Sequence, residues 1–285
     1  MPGTLYLCAT PIGNLEDITL RVLRVLKEVD LIAAEDTRHT QKLLNYYDIQ
    51  TPSTSYYEHN KESKGKWLVE QLLEGKNIAL VTDAGTPGIS DPGEDLVRLC
   101  YQEKISVTAL PGAVAGITGL ILSAISTSRF AFEGFLPMDP KKRKSILSLL
   151  EKETRTLVLY EAPHRLLQTL QELMAALGET RKIAIVRELT KKYEEVFITT
   201  LSEAVDHYQA RDPRGEYVLI IEGKPVAELQ EEEQQKWETW SIHEHMNFYL
   251  DQGFSVKDGM KKVAKDRGTS KREVYALWHN LEKKE

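Results

Sequence analysis

Val81-Thr82-Asp83-Ala84-Gly85-Thr86-Pro87-Gly88-Ile89-Ser90-Asp91-Pro92-Gly93 follows a short apolar run, residues 77–81, that reads as a buried strand. Five of its thirteen residues are Gly or Pro, so neither helix nor strand continues through it. Two Asp side chains and several hydroxyls sit among them. Exposed backbone, carboxylates and tight turns at the carboxyl end of a strand are what a polar small-molecule site in an open α/β sheet requires. The plainer reading is a solvated turn before a helix starting near Pro92, but thirteen residues is long for a turn.

Working outward, strands alternate with helices. Residues 5–9, 31–34, 53–56, 78–82 and 106–110 read as strands, and residues 17–28, 40–47, 64–73, 91–102 and 113–126 as helices. Such alternation implies right-handed crossovers and a largely parallel sheet. From residue 130 a second series begins, with strands at 130–135, 156–161, 182–187, 193–200 and 217–222 and helices at 140–153, 163–177 and 204–208. Its closely spaced late strands point to a mixed sheet. Residues 223–235, rich in Glu, read as a linker or the solvated start of a helix. The remainder is strand-free, with helices expected at 242–250, 256–267 and 272–281. Ser270 and Glu273 form a capping box before the last of these, which gives a helix-turn-helix. The resulting expectation is three parts: 1–127, 128–224, and an acidic linker with an all-α tail at 225–285.

The chain has 285 residues, 41% hydrophobic and 28% charged, the balance of a globular protein with room for two domains and an appendage. Apolar stretches are too short to span a membrane, and the first residues lack the pattern of a signal peptide. Cys8 and Cys100 sit far apart in apolar surroundings, which suggests buried thiols in a reducing compartment and a cytoplasmic protein. The net charge of −6 announces no nucleic acid, so contact with phosphate falls to local basic runs. There is no Gly-x-x-x-x-Gly-Lys-Ser/Thr loop, no Gly-x-Gly-x-x-Gly after the first strand, no Gly-x-Ser-x-Gly elbow and no set of metal ligands at the usual spacing.

What remains is a set of strand ends: Ala9-Thr10-Pro11-Ile12-Gly13-Asn14, Glu35-Asp36-Thr37-Arg38, the opening segment, Pro111-Gly112-Ala113, Glu161-Ala162-Pro163-His164-Arg165, and Arg187-Glu188-Leu189-Thr190-Lys191-Lys192. Small and Pro-rich ends in one region and charged ends in the other suggest a cleft. One side holds a compact cofactor through backbone groups, and the other supplies ionisable groups.

Ala9-Thr10-Pro11-Ile12-Gly13-Asn14-Leu15-Glu16-Asp17, Ala34-Glu35-Asp36-Thr37-Arg38, the opening segment, Leu110-Pro111-Gly112, Phe132-Glu133-Gly134-Phe135-Leu136-Pro137 and Tyr160-Glu161-Ala162-Pro163-His164-Arg165 together resemble a family of bacterial small-subunit ribosomal RNA methyltransferases. Its members act on the 2'-oxygen of a cytidine ribose and belong to the tetrapyrrole-methylase superfamily. The resemblance spans residues 3–223 in order, and the tail resembles the helix-turn-helix extension seen in that family. It implies an α/β, two-domain tetrapyrrole-methylase-like fold, a mostly parallel sheet followed by a mixed one. It also implies a homodimer, S-adenosylmethionine as cofactor in the cleft, and 16S ribosomal RNA or the small ribosomal subunit as partner. The first-strand loop of the family matches Pro11 and Gly13. Its Gly-Asp element matches Thr82-Asp83, with Thr in place of the Gly common in the superfamily. Its Pro-Gly turn matches Pro111 and Gly112, followed by Ala113 where relatives often carry Ser.

The expected cofactor side is therefore Pro11, Gly13, Asp83, Ala84, Gly85, Thr86, Gly112, Ala113 and Ala162. Asp83 suits an ammonium or a ribose, or else caps a turn. Transfer to a hydroxyl needs in-line positioning and benefits from a general base. The candidates are Glu161, His164, Asp91 and Glu188, with Lys191 a further one if burial lowers its pKa. Glu161 and Arg165, four apart, also suit a simple ion pair. Residues 139–155 carry six basic and three acidic side chains, and Lys141, Lys142, Arg143 and Lys144 are a candidate phosphate clamp. Arg165, Lys191, Lys271 and Arg272 are further RNA-binding candidates. Tyr56, Tyr57 and Tyr193 are possible stacking partners. Two other readings stay open: a precorrin-type tetrapyrrole methylase, and a helix-turn-helix regulator with a nucleoside-sensing α/β part.

Overall fold

The computed structural model describes residues 1–282. The chain forms two compact units, one of residues 1–151 and 155–222 and the other of residues 152–154 and 223–285.

The first unit holds both sheets. Strands β1 (Thr4–Cys8), β2 (Leu31–Ala34), β3 (Ser53–Ser55), β4 (Ile78–Val81) and β5 (Ser106–Leu110) make a parallel sheet in the order β3-β2-β4-β1-β5. Helices α1 (Leu20–Glu28), α2 (Thr37–Tyr46), α3 (Lys61–Leu73) and α4 (Gly93–Gln102) are the crossovers. The central strand β4 is buried along its length. Ile78 and Leu80 enter the core on one face, and Ala79 and Val81 enter the core on the other. A strand covered on both faces reads as a continuous apolar run, which is why it is visible in the sequence.

Helix α5 (Ala115–Leu122) passes to the second sheet, built of β6 (Phe130–Phe135), β7 (Thr156–Glu161), β8 (Lys182–Arg187), β9 (Glu195–Thr200) and β10 (Tyr217–Ile221) in the order β6-β7-β10-β8-β9. Only β6 and β7 run parallel; β10 and β9 pair antiparallel with their neighbours. The mixed sheet expected from strand spacing is therefore present. Helices α6 (Pro140–Leu150), α7 (Leu166–Leu177) and α8 (Leu201–Gln209) accompany it. α5 lies close on this sheet because Gly116 and Gly119 bring its backbone down to Val158 and Val218. It is shorter than the expected 113–126. The buried Ser123 hydroxyl donates to Leu120 O (2.8 Å) and accepts from Ile125 N (3.1 Å), and Ala124 then turns left-handed (φ 56°).

In the second unit, residues 226–239 form helix α9 (Val226–Thr239) rather than a linker. Its glutamates read as solvated chain, but Lys224 is buried and pairs with Glu232. Helices α10 (Ile242–Asp251), α11 (Val256–Asp266) and α12 (Lys271–Glu282) pack around Met246, Met260, Val263, Val274 and Trp278. Gly268 (φ 61°) makes the turn before α12, and Ser270 and Glu273 exchange the capping-box bonds expected of them. No helix among the described residues is long and apolar enough to cross a membrane.

Candidate active site

The carboxyl ends of the strands in the first unit enclose two adjoining cavities. The first, of about 550 Å³, is lined on one side by Thr82, Asp83, Ala84, Gly85, Thr86, Ile89, Ser90 and Asp91, and on the other by Phe135, Tyr160, Glu161, Ala162, Pro163, His164, Val186, Leu189, Tyr217 and Val218. The second, of about 710 Å³, is bounded by Thr10, Pro11, Gly13 and Leu15, by His39, Lys42 and Tyr46 of α2, and by Lys191. Ile12, Thr82, Asp83, Ala84 and Glu216 line both.

Most polar residues after β4 have a mechanical role in the loop. Gly85, at φ +88°, exchanges two backbone hydrogen bonds with Thr10 (2.9 and 3.1 Å), an antiparallel bridge between loops of a parallel sheet. Thr10 Oγ1 donates to Thr82 O (3.0 Å) and Thr86 Oγ1 to Ala113 O (3.0 Å). A side chain at residue 85 would need a left-handed backbone and would press on Ala113 O and Ile12. Asp91 accepts from the N–H groups of Gly88 (2.8 Å), Ile89 (3.2 Å) and Gly93 (2.7 Å). Burial pushes its carboxyl up, and these N–H groups oppose the rise. Ser90 is held left-handed at φ 65°. Asp83 accepts from Asp36 N (3.1 Å), while Glu35 accepts from Thr82 Oγ1 (2.5 Å). Burial and the neighbouring Glu35 raise Asp83 above the usual carboxylate range, and the Asp36 N–H and His39 pull against them.

The ionisable groups of the second sheet are engaged with one another. Glu161 is 2% exposed. It accepts from Thr169 Oγ1 (2.5 Å) and Ala162 N (2.9 Å) and lies 3.6 Å from Arg165. Arg165 also donates to Leu136 O (2.9 Å), so it fixes the strand end rather than offering a free cation to RNA. Glu188 accepts from Glu216 N (3.0 Å) and Lys191 Nζ (3.1 Å). Burial opposes its ionisation, but these donors outweigh burial and hold it below its usual range. Lys191 is pinned between Glu188 and Glu216 (2.8 Å). Burial disfavours its charge, yet the two carboxylates win and raise its pKa. The condition for Lys191 as a base, a lowered pKa, is not met. His164 is exposed in the first cavity and has no hydrogen-bond partner among the described residues.

The basic run divides. Lys141, Lys142 and Lys144 are exposed, but Arg143 is 6% exposed, donates to Thr169 and pairs with Glu172. The expectation that it contacts phosphate is therefore corrected. Gly112 and Ala113 line neither cavity. Gly112 is a glycine because a Cβ there would come 2.3 Å from that of Ala9, while Ala113 O receives Thr86. Pro11 and Gly13 border the second cavity rather than the first. Tyr56 is buried and donates to Pro92 O (3.0 Å), so it is not available for stacking. Lys271 and Arg272 are exposed at the start of α12. The sequence reading missed Tyr160, Tyr217 and Glu216 and the residues on α2. A signal for the last was present, since residues 39, 42 and 46 share one helical face.

The family described as Tetrapyrrole (Corrin/Porphyrin) Methylases matches residues 4–205, and the chain belongs to it. Within that class it is similar to Ribosomal RNA small subunit methyltransferase I of Halalkalibacterium halodurans, 50% identical over 277 residues, covering 97% of this chain and 95% of the relative. The protein of the same name from Bacillus subtilis is also 50% identical over 277 residues, covering 97% of this chain and 94% of the relative. A uroporphyrin-III C-methyl transferase from Thermus thermophilus, solved with S-adenyl homocysteine, has the same fold. Its TM-score is 0.57 at 18% identity, with 77% of this chain and 97% of that chain covered. The family expected from the strand-end segments is thus the family found.

Proposed function

We propose that the protein methylates the 2'-oxygen of a cytidine ribose in small-subunit (16S) ribosomal RNA, with S-adenosylmethionine as donor. The carrying observation is the first cavity, shaped by the strand ends of a chain 50% identical over 97% of its length to relatives named for ribosomal RNA methylation. Its volume suits a cofactor-sized ligand, and it fits this one. The backbone around Gly85 is open to approach, and Phe135, Tyr160, Tyr217, Val186 and Leu189 offer apolar walls for an adenine. Asp83 and Glu35 are of opposite sign to an ammonium or a sulfonium. On this reading Asp83, Ala84, Gly85, Thr86 and Ala162 hold the donor directly; Pro11 and Gly13 shape its approach; Gly112 and Ala113 hold the loop. The bound donor supplies an electrophilic methyl group, and the chain's own residues orient the ribose, exclude water and accept the hydroxyl proton.

Of the four base candidates, Glu161, Asp91 and Glu188 are occupied by internal hydrogen bonds, which leaves His164 as the group to test. Lys141, Lys142, Lys144, Lys271 and Arg272 are the exposed cations for RNA. A homodimer belongs to the same reading, supported by the exposed Ile117, Ile121 and Leu122 of α5. The divisions at residues 127 and 224 place one domain on each side of the cavity and leave the helices as a third part.

The test is to incubate the protein and labelled S-adenosylmethionine with small ribosomal subunits, free ribosomal RNA and a precorrin, then digest the RNA. Label in a single 2'-O-methylcytidine is expected. Label in the macrocycle alone overturns the reading, and absence of transfer with tight DNA binding favours a regulator. His164→Gln should lower kcat by about a hundredfold or more with S-adenosylhomocysteine affinity kept.

A further inference from the structure

The second cavity meets the first along Thr82, Asp83 and Ala84, and most of its lining lies beyond the residues proposed to hold the donor. One face of α2 forms its wall. His39, Lys42 and Tyr46 recur at the three- and four-residue spacing of a helical stripe; the buried Thr40 and Leu43 line the cavity beside them, and Leu44 faces the core. The stripe has a direction. His39 is near enough to Asp83 to oppose the rise in its pKa, which sets this end of the stripe by the seam between the cavities. Tyr46 lies two turns further on, about 10 Å along the axis. Lys42 is between them, exposed and without an ion-pair partner among the described residues. Tyr46 is 64% exposed. Its ring meets the edge of Tyr47 at 4.9 Å, and Tyr47 is anchored by its hydroxyl donating to Leu15 O (2.5 Å).

The opposite wall is rigid. Asn14 N donates to Thr190 Oγ1 (3.0 Å), and a Cβ on Gly13 would collide with Thr190 and Lys191. The Lys191 cation at this end is already neutralised by Glu188 and Glu216. The open cation of the cavity is therefore Lys42 of α2. A carboxylate at the seam, an ammonium midway and an aromatic face at the far end match, in order, a ribose hydroxyl, the 3'-phosphate beyond it and the base of the next nucleotide. A flat polyanionic macrocycle offers no such sequence of groups.

We propose that this second cavity is the acceptor site for two successive nucleotides of single-stranded RNA along the His39–Lys42–Tyr46 stripe, with the acceptor ribose at the Asp83 seam, its 3'-phosphate on Lys42 and the base of the next nucleotide stacked on Tyr46. This rests on the RNA-methylating reading above. Base stacking on an aromatic side chain tolerates any base, and the single phosphate contact carries the salt dependence.

The test uses the full-length protein and small ribosomal subunits. Lys42→Glu and Tyr46→Ala should each raise KM at least tenfold, with kcat within threefold and S-adenosylhomocysteine affinity within twofold of wild type. Tyr46→Phe should restore KM. Lys42→Ala should flatten the plot of log KM against log salt by about one, a change that a structural role would not make. Lys66→Glu on α3, the same charge reversal on the other face of the first sheet, should change nothing. Wild-type KM in both Lys42→Glu and Tyr46→Ala overturns the proposal. If the wild-type protein methylates no RNA, the functional reading has failed separately, and the site is then judged with the dinucleotide cytidylyl-(3'→5')-adenosine on protein loaded with S-adenosylhomocysteine. Binding lost in both variants upholds it; equal binding or none overturns it.

Discussion

The segments after β4 and after β8 reach the same cavities by different physical means. Residues 82–93 are rich in Gly and Pro, and their side chains bond to nearby backbone: Asp91 gathers three N–H groups and Thr86 reaches Ala113. Residues 187–194 are rich in charge, and those charges are consumed in pairs: Lys191 with Glu188 and Glu216, Arg187 with Glu195 (3.3 Å). Two of the residues here, Glu188 and Thr190, also sit left-handed. The contrast teaches that ionisable side chains crowded at a strand end need not be the reactive ones. The groups left open in the cavities are His164, Asp83, and His39 and Lys42 of α2.

The sharpest way to break that contrast is at Arg143, the buried member of an otherwise solvated run. Arg143→Ala should cost about 3 kcal/mol of stability, since it removes the buried guanidinium that pairs with Glu172 and donates to Thr169. Urea unfolding measures this. The triple change of Lys141, Lys142 and Lys144 to Ala should leave the urea midpoint in place and weaken RNA binding instead. A neutral Arg143→Ala would mean the second sheet's charges are not structural. Next comes Gly85→Val. The left-handed backbone alone costs about 1–2 kcal/mol, and the blocked approach should abolish S-adenosylhomocysteine binding by calorimetry. Retained affinity would show that the segment after β4 is a mere turn.

A smaller effect belongs to the helical unit. His245 is 0% exposed and stacked on Trp237 at 4.0 Å. Burial lowers its pKa; the Arg267 cation acts in the same direction, and the Asp266 hydrogen bond opposes both. The unfolded chain therefore binds the proton more readily. Stability is fully present above about pH 6.5 and is lost as pH falls through the lowered value. Trp fluorescence followed through thermal melts at descending pH should show it, and His245→Gln should remove the dependence. The smallest effect concerns the thiols. Burial pushes Cys8 up to about 12 and Cys100 up to about 11. Neither should react with a thiol reagent until the protein unfolds; rapid labelling of the folded protein would contradict their burial.

Much of the fold was legible because its strands are short apolar runs between turn residues. β2, β5, β6, β7 and β8 begin and end where their composition changes. The helix at 226–239 was less legible, since a polar surface helix and a linker share a composition. The site was legible where backbone makes it, at Asp83, Ala84, Gly85 and Thr86, because Gly and Pro advertise their conformations. It was not legible where charge makes it. Whether Glu161 is free or bonded to Thr169 depends on where α7 lies against β7, which no spacing reveals. At Arg143 a usable signal was overlooked: Ile146, Leu147 and Leu150 follow at helical spacing, which sets Arg143 on the inner face of α6 despite its basic neighbours.

The Thr10–Gly85 bridge also bears on how the protein is made. It joins positions 75 residues apart in the chain, and the far wall of the first cavity waits for Tyr217 and Val218 on β10. A ribosome releasing this chain from its N-terminus produces both halves of the bridge long before that wall exists. On the proposed placement of the donor, its complete site therefore needs the chain through β10. A chain cut before β10 would carry the glycine loop but lack the Tyr217 and Val218 part of the facing wall.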